Sequence, residues 1–260
     1  MQSAFANGQL DRLFRRVGAS HSAVSSDPWL VVIDNLISPD EADELLEVAN
    51  LFAYQHSKDA RYDESYRTSR TVHCGALPRC RTDPSAKRLE SRASELLGIP
   101  LDHSEPMQVV RYEVGDEYKT HHDQNALRDE PWGVRGLTLF VYLSDAHDEA
   151  AGGETLFPLL NLSVTPRRGR ALLWSNVLLD SPDASDRRTF HAGAPVLRGV
   201  KHGVNLWWHP YPYRPFFFQE GCGKYGHAQY VHPHHPSPGR WSAAENILVW
   251  NGTFQGFAST

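Results

Sequence analysis

The sequence lacks two features that would point to common binding partners. It has no basic excess, because 26 lysine and arginine residues stand against 31 aspartate and glutamate residues and the formal net charge is −5. A protein that neutralises a phosphate backbone needs such an excess, so nucleic acid is not an expected partner. No stretch approaches the roughly 20 apolar residues of a membrane span, and we expect no membrane contact.

Two further features bear on the cellular compartment. Cysteine is scarce, and Cys74, Cys80 and Cys222 have spacings that fit neither a disulfide framework nor paired zinc knuckles, so we expect reduced thiols. The N-terminal residues contain no apolar run typical of a secretory signal, so we expect a cytoplasmic protein. The alternative is an organellar transit segment, indicated by three arginines with few acids nearby: Arg12, Arg15 and Arg16.

The sequence divides into three parts. Residues 1–27 are polar without sustained periodicity, and we expect a flexible arm there or a single short helix near 10–17. Order is expected from Pro28, which precedes a continuous apolar run typical of a buried strand. Residues 28–213 are expected to form one domain. Residues 214–260 form an aromatic and His/Pro-rich extension, which we expect to pack on that domain or in an interface.

Two helix patterns precede a β-rich region. Ser38 opens a capping box with proline at the first helical position, and Asp83 caps a second helix that Gly98 ends. Short apolar runs separated by turns then predict strands at 107–113, 137–143, 154–159, 171–174 and 204–208. Because no helix patterns separate these strands, the sequence predicts a mainly β (α+β) fold, a sandwich or jelly roll with the helices packed outside.

The residues that carry chemistry begin with His121, His122 and Asp123. In an extended segment residues 121 and 123 project to the same face, so both can bind one ion. Two imidazoles and one carboxylate on a face form the triad suited to non-haem Fe(II), since the open positions accept a chelating co-substrate and O2. The motif alone is a weak signal, and the third ligand must come from elsewhere in the chain.

A second motif strengthens the first. His191 lies in the segment Thr-Phe-His-Ala-Gly at residues 189–193, and Lys201 follows ten residues later, in the segment 199–208 that leads into the last predicted strand. A buried lysine in a strand needs an anion as its partner. The two motifs together therefore favour a metal ion beside a bound acid.

These residues resemble the 2-oxoglutarate/Fe(II) dioxygenases, and more closely their prolyl 4-hydroxylase branch. The resemblance covers roughly residues 28–213 and implies a double-stranded β-helix (jelly roll). It is also carried, in order along the chain, by residues 34–38, 66–69, 110–115, 137–145, 152–158 and 166–174.

The resemblance implies roles for individual residues. His121, Asp123 and His191 would be the iron ligands, and Lys201 would pair with the distal carboxylate of 2-oxoglutarate (2OG). Two further positions are similar to those that contact the co-substrate, and three to those on the substrate side. The co-substrate positions are Tyr112 and Trp207; the substrate-side positions are Tyr118, Arg135 and His209.

The implied activity is hydroxylation of an unactivated C–H bond, with Fe(II), 2OG and O2 as cofactors, ascorbate as reductant, and succinate and CO2 as co-products. Proline in a peptide or protein is the leading substrate. Gln124 and Asn125 stand where the family has an aromatic residue, which keeps hydroxylation of a free amino acid or another small molecule open. A metal-binding jelly roll without catalytic activity is the third hypothesis.

Three other sequence motifs give little support for a function. The glycine pattern at 221–226 lacks the helix that dinucleotide binding requires. His73 with the nearby cysteines lacks a fourth zinc ligand. The histidines at 232, 234 and 235 lie between prolines, where a solvated surface loop is the simpler interpretation.

Overall fold

The computed structural model describes residues 3–57, 65–124, 130–146 and 150–218. Their strands form an eight-stranded and a four-stranded sheet, and every paired strand runs antiparallel to its neighbour. The strands are β1 Ser22–Ser26, β2 Trp29–Ile33, β3 Gln55–His56, β4 Arg70–His73, β5 Gln108–Tyr112, β6 Tyr118–His121, β7 Leu137–Tyr142, β8 Thr155–Phe157, β9 Leu162–Val164, β10 Ala171–Ser175, β11 His191–Gly193 and β12 Lys201–Trp208.

The strand order confirms the predicted jelly roll with external helices. The large sheet has the order β1-β2-β10-β7-β12-β5-β4-β3, and the small sheet has the order β6-β11-β8-β9. The helices are α1 Gln9–Ser20, α2 Pro39–Asn50, α3 Pro78–Thr82, α4 Pro84–Leu97 and α5 Arg214–Phe217. No described helix is long and apolar enough to cross a membrane.

Strands β2, β7 and β10 of the large sheet are buried on both faces, which explains their continuous apolar sequences. In β7, Leu139 and Val141 pack in the layer beneath the helices, whereas Phe140 and Tyr142 pack in the layer between the two sheets. Successive side chains of a strand point to opposite faces, so one strand serves both layers. The space between the sheets is the layer in which a site can be enclosed.

The two predicted helices on the outer face begin and end as expected. The Ser38 hydroxyl accepts a hydrogen bond from the Glu41 amide at 3.1 Å, and the Glu41 carboxylate accepts one from the Ser38 amide at 2.9 Å. Helix α4 ends at Gly98, whose φ of 66° is the left-handed conformation that glycine tolerates best. Both helices pack on the core through their apolar faces.

The N-terminal part differs from the flexible arm expected for residues 1–27. Helix α1 buries Leu10, Leu13, Phe14 and Val17 on one face, and β1 adds a strand to the edge of the large sheet. The Phe14 ring stacks on Trp29 with 6.0 Å between centroids. The four apolar residues recur at helical spacing, and this stripe lets the segment pack against the sheet. The alternative of a short helix is therefore the correct one.

We predict that Phe14→Ala lowers the free energy of unfolding by about 3–5 kcal/mol, since it empties a fully buried ring site. Urea denaturation followed by circular dichroism measures the change. The neighbouring Arg15, whose side chain is 70% exposed, provides the control. Arg15→Ala should change stability by no more than about 0.5 kcal/mol. Equal, small effects of both substitutions would show that α1 does not pack on the domain.

The expectation of reduced thiols is wrong for Cys74 and Cys80, which form a disulfide. A 3-10 helix at Cys74–Ala76 and then α3 turn the chain back, so the two Cα atoms lie 5.1 Å apart, within bridging range. Sequence spacing alone did not reveal this turn. Cys222, the glycine pattern at 221–226 and the histidines at 232–235 lie outside the described residues.

The described start of the C-terminal extension packs on the domain. In α5, Arg214 forms two hydrogen bonds with the buried Glu90 of α4, at 2.6 and 3.0 Å. The same guanidinium donates to the hydroxyl of Ser104 at 3.0 Å. The polypeptide therefore remains attached to the helical layer beyond residue 213, where the predicted domain ends.

Candidate active site

Three buried side chains converge between the two sheets. His121 ends β6, Asp123 follows two residues later, and His191 begins β11. His121 and His191 are direct partners in the antiparallel pairing of these strands, which brings their side chains to one face. One ligand atom from each of the three residues lies within 4.8 Å of the others. One ion can therefore contact all three.

The two imidazoles are held in the orientation that a metal requires. The Nδ1 atom of His121 is 2.8 Å from the carbonyl oxygen of Lys119, and that of His191 is 3.1 Å from the carbonyl oxygen of Thr189. A carbonyl only accepts, so Nδ1 donates in each ring and Nε2 carries the free lone pair. Burial, together with the nearby His191, lowers the pKa of His121 well below its usual value. The neutral ring is the form that binds metal.

The two oxygens of the Asp123 carboxylate have different partners. Its Oδ1 atom faces the histidines, 3.7 Å from Nε2 of His121 and 3.8 Å from Nε2 of His191. Its Oδ2 atom accepts hydrogen bonds from the Thr138 hydroxyl at 2.7 Å and the Trp207 indole at 3.1 Å. Burial alone would raise the pKa of Asp123, but the two histidines and these hydrogen bonds hold it below its usual value.

The donor set fits a divalent iron ion. Two neutral nitrogens and one ionised carboxylate oxygen meet on one side of the cavity, the arrangement typical of non-haem Fe(II) sites with open positions for further ligands. The carboxylate is further supported from behind, since Asn176 donates to the Thr138 hydroxyl at 2.9 Å. Thr138 and Asn176 are both fully buried. This chain of hydrogen bonds fixes which oxygen of Asp123 faces the metal.

We predict that Thr138→Val weakens Fe(II) binding by about 10- to 100-fold, the usual cost of losing an outer partner of a metal ligand. The valine keeps the shape of the side chain but cannot donate to Asp123. Titration of the apoprotein with Fe(II) under argon measures the affinity. Thr120→Val, at an exposed position of β6, is the matched control. Unchanged affinity in Thr138→Val would show that the Trp207 indole holds Asp123 sufficiently on its own.

A cavity of about 490 Å³ opens beside the three ligands. Lys201 lines it from β12, is 5% exposed, and has its Nζ atom 5.0 Å from the centre of the Tyr112 ring. A Cβ atom placed on Gly193 would lie 3.8 Å from both the Lys201 Nζ atom and the Tyr112 hydroxyl, so these two groups flank one point. Burial raises the pKa of Tyr112, which keeps its hydroxyl protonated.

Lys201 is a buried cation that needs an anion. Burial lowers its pKa to about 8, only partly offset by Glu154. Its ammonium forms no ion pair with any described carboxylate, and aromatic rings surround it, including Phe140 with 5.5 Å between Nζ and the ring centre. The site thus offers an ammonium and a phenol to a carboxylate held beside the metal.

Two of the three residues expected on the substrate side line the cavity. The Tyr118 ring stacks on His121, with 3.4 Å between centroids and 14° between planes. The Arg135 guanidinium lies 4.1 Å from the centre of the Trp207 ring and forms an ion pair with Glu105, with Nη2 3.0 Å from Oε2. Both residues can therefore touch a molecule that enters beside the metal.

His209 is placed differently from the expectation. It is 1% exposed, does not line the cavity, and lies behind Arg135, with its Nε2 atom 3.0 Å from Glu105 Oε1. Its Nδ1 atom is 2.9 Å from the carbonyl oxygen of Gly133. His209 therefore positions Glu105, and through it Arg135. Tyr213, in the segment between β12 and α5, stacks on the His209 ring and helps to bury it.

Four further residues of this site were not predicted from the sequence. Thr138 and Asn176 support Asp123, Glu105 holds Arg135, and Arg67 lines the cavity. Thr138 carried a usable signal, because it is the one polar residue in the apolar strand β7. The others lie in loops or at strand ends, where sequence periodicity gives no direction to the side chain.

Comparisons with known proteins agree with this geometry. Residues 107–209 match the model of the 2OG-Fe(II) oxygenase superfamily. The chain is 31% identical to probable prolyl 4-hydroxylase 3 of Arabidopsis thaliana over 214 residues, which cover 74% of this chain and 72% of the relative. It is 30% identical to a putative prolyl 4-hydroxylase of Acanthamoeba polyphaga mimivirus over 214 residues, which cover 75% of this chain and 85% of the relative.

A solved structure shows the same fold. The viral collagen prolyl hydroxylase of Paramecium bursaria Chlorella virus-1, in complex with 2OG, superposes with a TM-score of 0.55 at 25% identity, covering 72% of this chain and 98% of that chain. The jelly roll and its His-Asp-His site thus define an iron- and 2OG-dependent dioxygenase. The chain belongs to the 2OG-Fe(II) oxygenase superfamily, in its prolyl 4-hydroxylase-like branch.

Proposed function

We propose that this dioxygenase hydroxylates proline in a peptide or protein at carbon 4, with succinate and CO2 as co-products. The observation that carries the proposal is the convergence of His121, Asp123 and His191 beside the buried ammonium of Lys201. When bound, Fe(II) would activate O2 with 2OG as the two-electron reductant, so that one oxygen atom enters succinate and the other enters the C–H bond. The names of the relatives support proline as the target.

The residues of the chain then have separate tasks. His121, Asp123 and His191 hold the metal, and Lys201 with Tyr112 binds the distal carboxylate of 2OG. Trp207 lines the cavity, and its indole also donates to Asp123. Tyr118 and Arg135 border the space that the substrate enters.

The form of the cavity supports a peptide as the substrate. From the metal ligands it runs along β5 and β4 to Gln55, His56 and His73, which lie at the exposed edge of the large sheet. A site that reaches the surface lets the chain on either side of a proline pass out. Its volume of about 490 Å³ also exceeds what 2OG and one free proline need, within the usual range for ligand sites of about 300–1,000 Å³.

The test compares proline peptides with free L-proline in the presence of Fe(II), 2OG and O2. The peptides vary the residues beside the proline, and each has a matched version with alanine in place of proline. We expect a mass gain of one oxygen on the proline of a peptide, with an equal amount of succinate. Product from free proline alone would favour the small-molecule alternative instead. Product from neither would refute both substrates.

Two further points are proposals of the same kind. We propose ascorbate as the reductant that restores Fe(II) after turnover without product, and a cytoplasmic location. The scarcity of cysteine supports the location, whereas the Cys74–Cys80 disulfide favours an oxidising compartment. Labelling the free thiols of protein isolated from its own cells tests the location: two modified cysteines at these positions would support the cytoplasm.

A further inference from the structure

A second buried cation shares the cavity with Lys201. Arg67 precedes β4, pairs through its backbone with Tyr118 in an isolated bridge, and is 7% exposed. Its guanidinium carbon lies 4.5 Å from the centre of the Tyr118 ring, and that ring stacks on His121. The cation is therefore close to the metal centre, separated from His121 by one aromatic ring.

Arg67 has hydrogen-bond partners but no counter-charge among the described residues. Its Nε atom donates to the Ser69 hydroxyl at 3.1 Å, and Nη2 donates to Oε1 of Gln108 at 3.4 Å. Both acceptors are neutral. Among the described residues that line the cavity, Asp123 is the only one with a carboxylate, and Arg67 forms no ion pair with Asp123. A buried guanidinium without an anion is costly, so the site favours a ligand that brings one.

Binding of iron and co-substrate leaves this charge uncompensated. The charges of Fe(II), Asp123, doubly ionised 2OG and Lys201 cancel one another. Arg135, the other guanidinium of the cavity, is already neutralised by Glu105. Arg67 is therefore the remaining full positive charge among the described residues that line the loaded cavity. The substrate is the component still to enter.

We propose that the substrate carries a carboxylate that pairs with Arg67. The group is either an acidic side chain next to the target proline or the C-terminal carboxylate of the proline itself. A guanidinium forms two parallel hydrogen bonds with a carboxylate, which fixes the direction of the substrate as well as its charge. The identity of the target residue rests on the proposed function, whereas the preference for an anion rests on Arg67 alone.

The experiment measures binding to the full chain loaded with Fe(II) and 2OG under argon, where no turnover occurs. One pair of acetylated, amidated peptides has proline followed by Asp or by Asn. A second pair ends in proline as the free acid or the amide. We expect the anionic member of one pair to bind at least about tenfold more tightly, roughly 1.4 kcal/mol. The pair that shows the preference identifies the source of the carboxylate.

The variants assign the preference to one side chain. In Arg67→Gln the ratio of the two dissociation constants should fall to about one. In Arg67→Lys the ratio should be intermediate, because the charge remains but the two parallel hydrogen bonds of a guanidinium are lost. Arg15→Gln removes the same charge from the exposed face of α1 and should keep the wild-type ratio. In the wild-type protein the ratio should also fall as salt rises, which tests the charge without any substitution.

Three results would overturn the proposal. They are equal binding within both pairs in the wild-type protein, a preference that survives in Arg67→Gln, or a weaker affinity for 2OG in that variant with the peptide preference unchanged. The last result would place the guanidinium on the co-substrate. Peptides with alanine in place of proline should show the same charge preference. Lack of oxygen addition in the aerobic assay would then refute the proline substrate and leave the role of Arg67 standing.

Discussion

Asp123→Ala is expected to abolish succinate formation and to weaken Fe(II) binding by more than about 100-fold, the upper end of what changes to outer partners cost. The substitution removes the anionic ligand and leaves two neutral imidazoles for a divalent ion. It also leaves the Thr138 hydroxyl and the Trp207 indole without their acceptor. Anaerobic titration with Fe(II), followed by circular dichroism to confirm the fold, measures the binding loss separately from the loss of turnover.

His122 provides the matched control, because it lies between the two ligands in sequence but points away from them. Its Nε2 atom is 3.0 Å from the carbonyl oxygen of Asp186, and it does not line the cavity. His122→Gln should keep the wild-type affinity for Fe(II). His191→Ala should instead behave as Asp123→Ala does. Wild-type iron affinity in either ligand variant would remove the basis for the metal centre described here.

Lys201→Ala should raise the dissociation constant of 2OG by about two to four orders of magnitude. The co-substrate would bury a carboxylate without its partner, at a cost of about 3–5 kcal/mol. Because Lys201 forms no ion pair with a described residue, its loss should leave the metal affinity intact. Quenching of tryptophan fluorescence by 2OG, in protein loaded with Fe(II) under argon, gives the constant directly.

The neighbouring His202 separates a loss of charge from a disturbance of β12. It does not line the cavity, and its amide donates to the Ser144 hydroxyl at 2.8 Å. His202→Ala should bind 2OG as the wild-type protein does. If Lys201→Ala also binds 2OG normally, the ammonium is not the partner of the distal carboxylate, and Tyr112 or Arg67 would have to replace it.

The sequence was sufficient for the parts of the molecule that local patterns determine. Alternation along a strand placed His121 and Asp123 on one face, and continuous apolar runs identified the doubly buried strands of the large sheet. The caps at Ser38 and Asp83 fixed the starts of two helices. His191 and Lys201 depended on the family resemblance, since nothing in their local sequence states which distant residue they approach.

Most of the features that were not predicted from the sequence depend on contacts between distant segments. The direction of the His209 ring depends on the segment after β12, and the hydrogen bonds of Thr138 depend on loops more than ten residues away. The Cys74–Cys80 disulfide depends on a reversal of the chain within one short segment. The helix at 9–20 is the exception, because its apolar spacing was present in the sequence.

The residues proposed to hold the metal and the co-substrate belong to different sheets. His121 and His191 belong to the small sheet, whereas Tyr112 and Lys201 belong to the large one, and a layer that includes Phe157 and Leu172 separates the two. Stacked sheets keep a spacing of about 10 Å that their interior side chains set. The thickness of this apolar layer therefore sets the distance between the histidines and the pair formed by Tyr112 and Lys201. Substitutions in this layer should therefore alter the rate of the reaction, although the layer contacts neither the metal nor the co-substrate, because they change that distance.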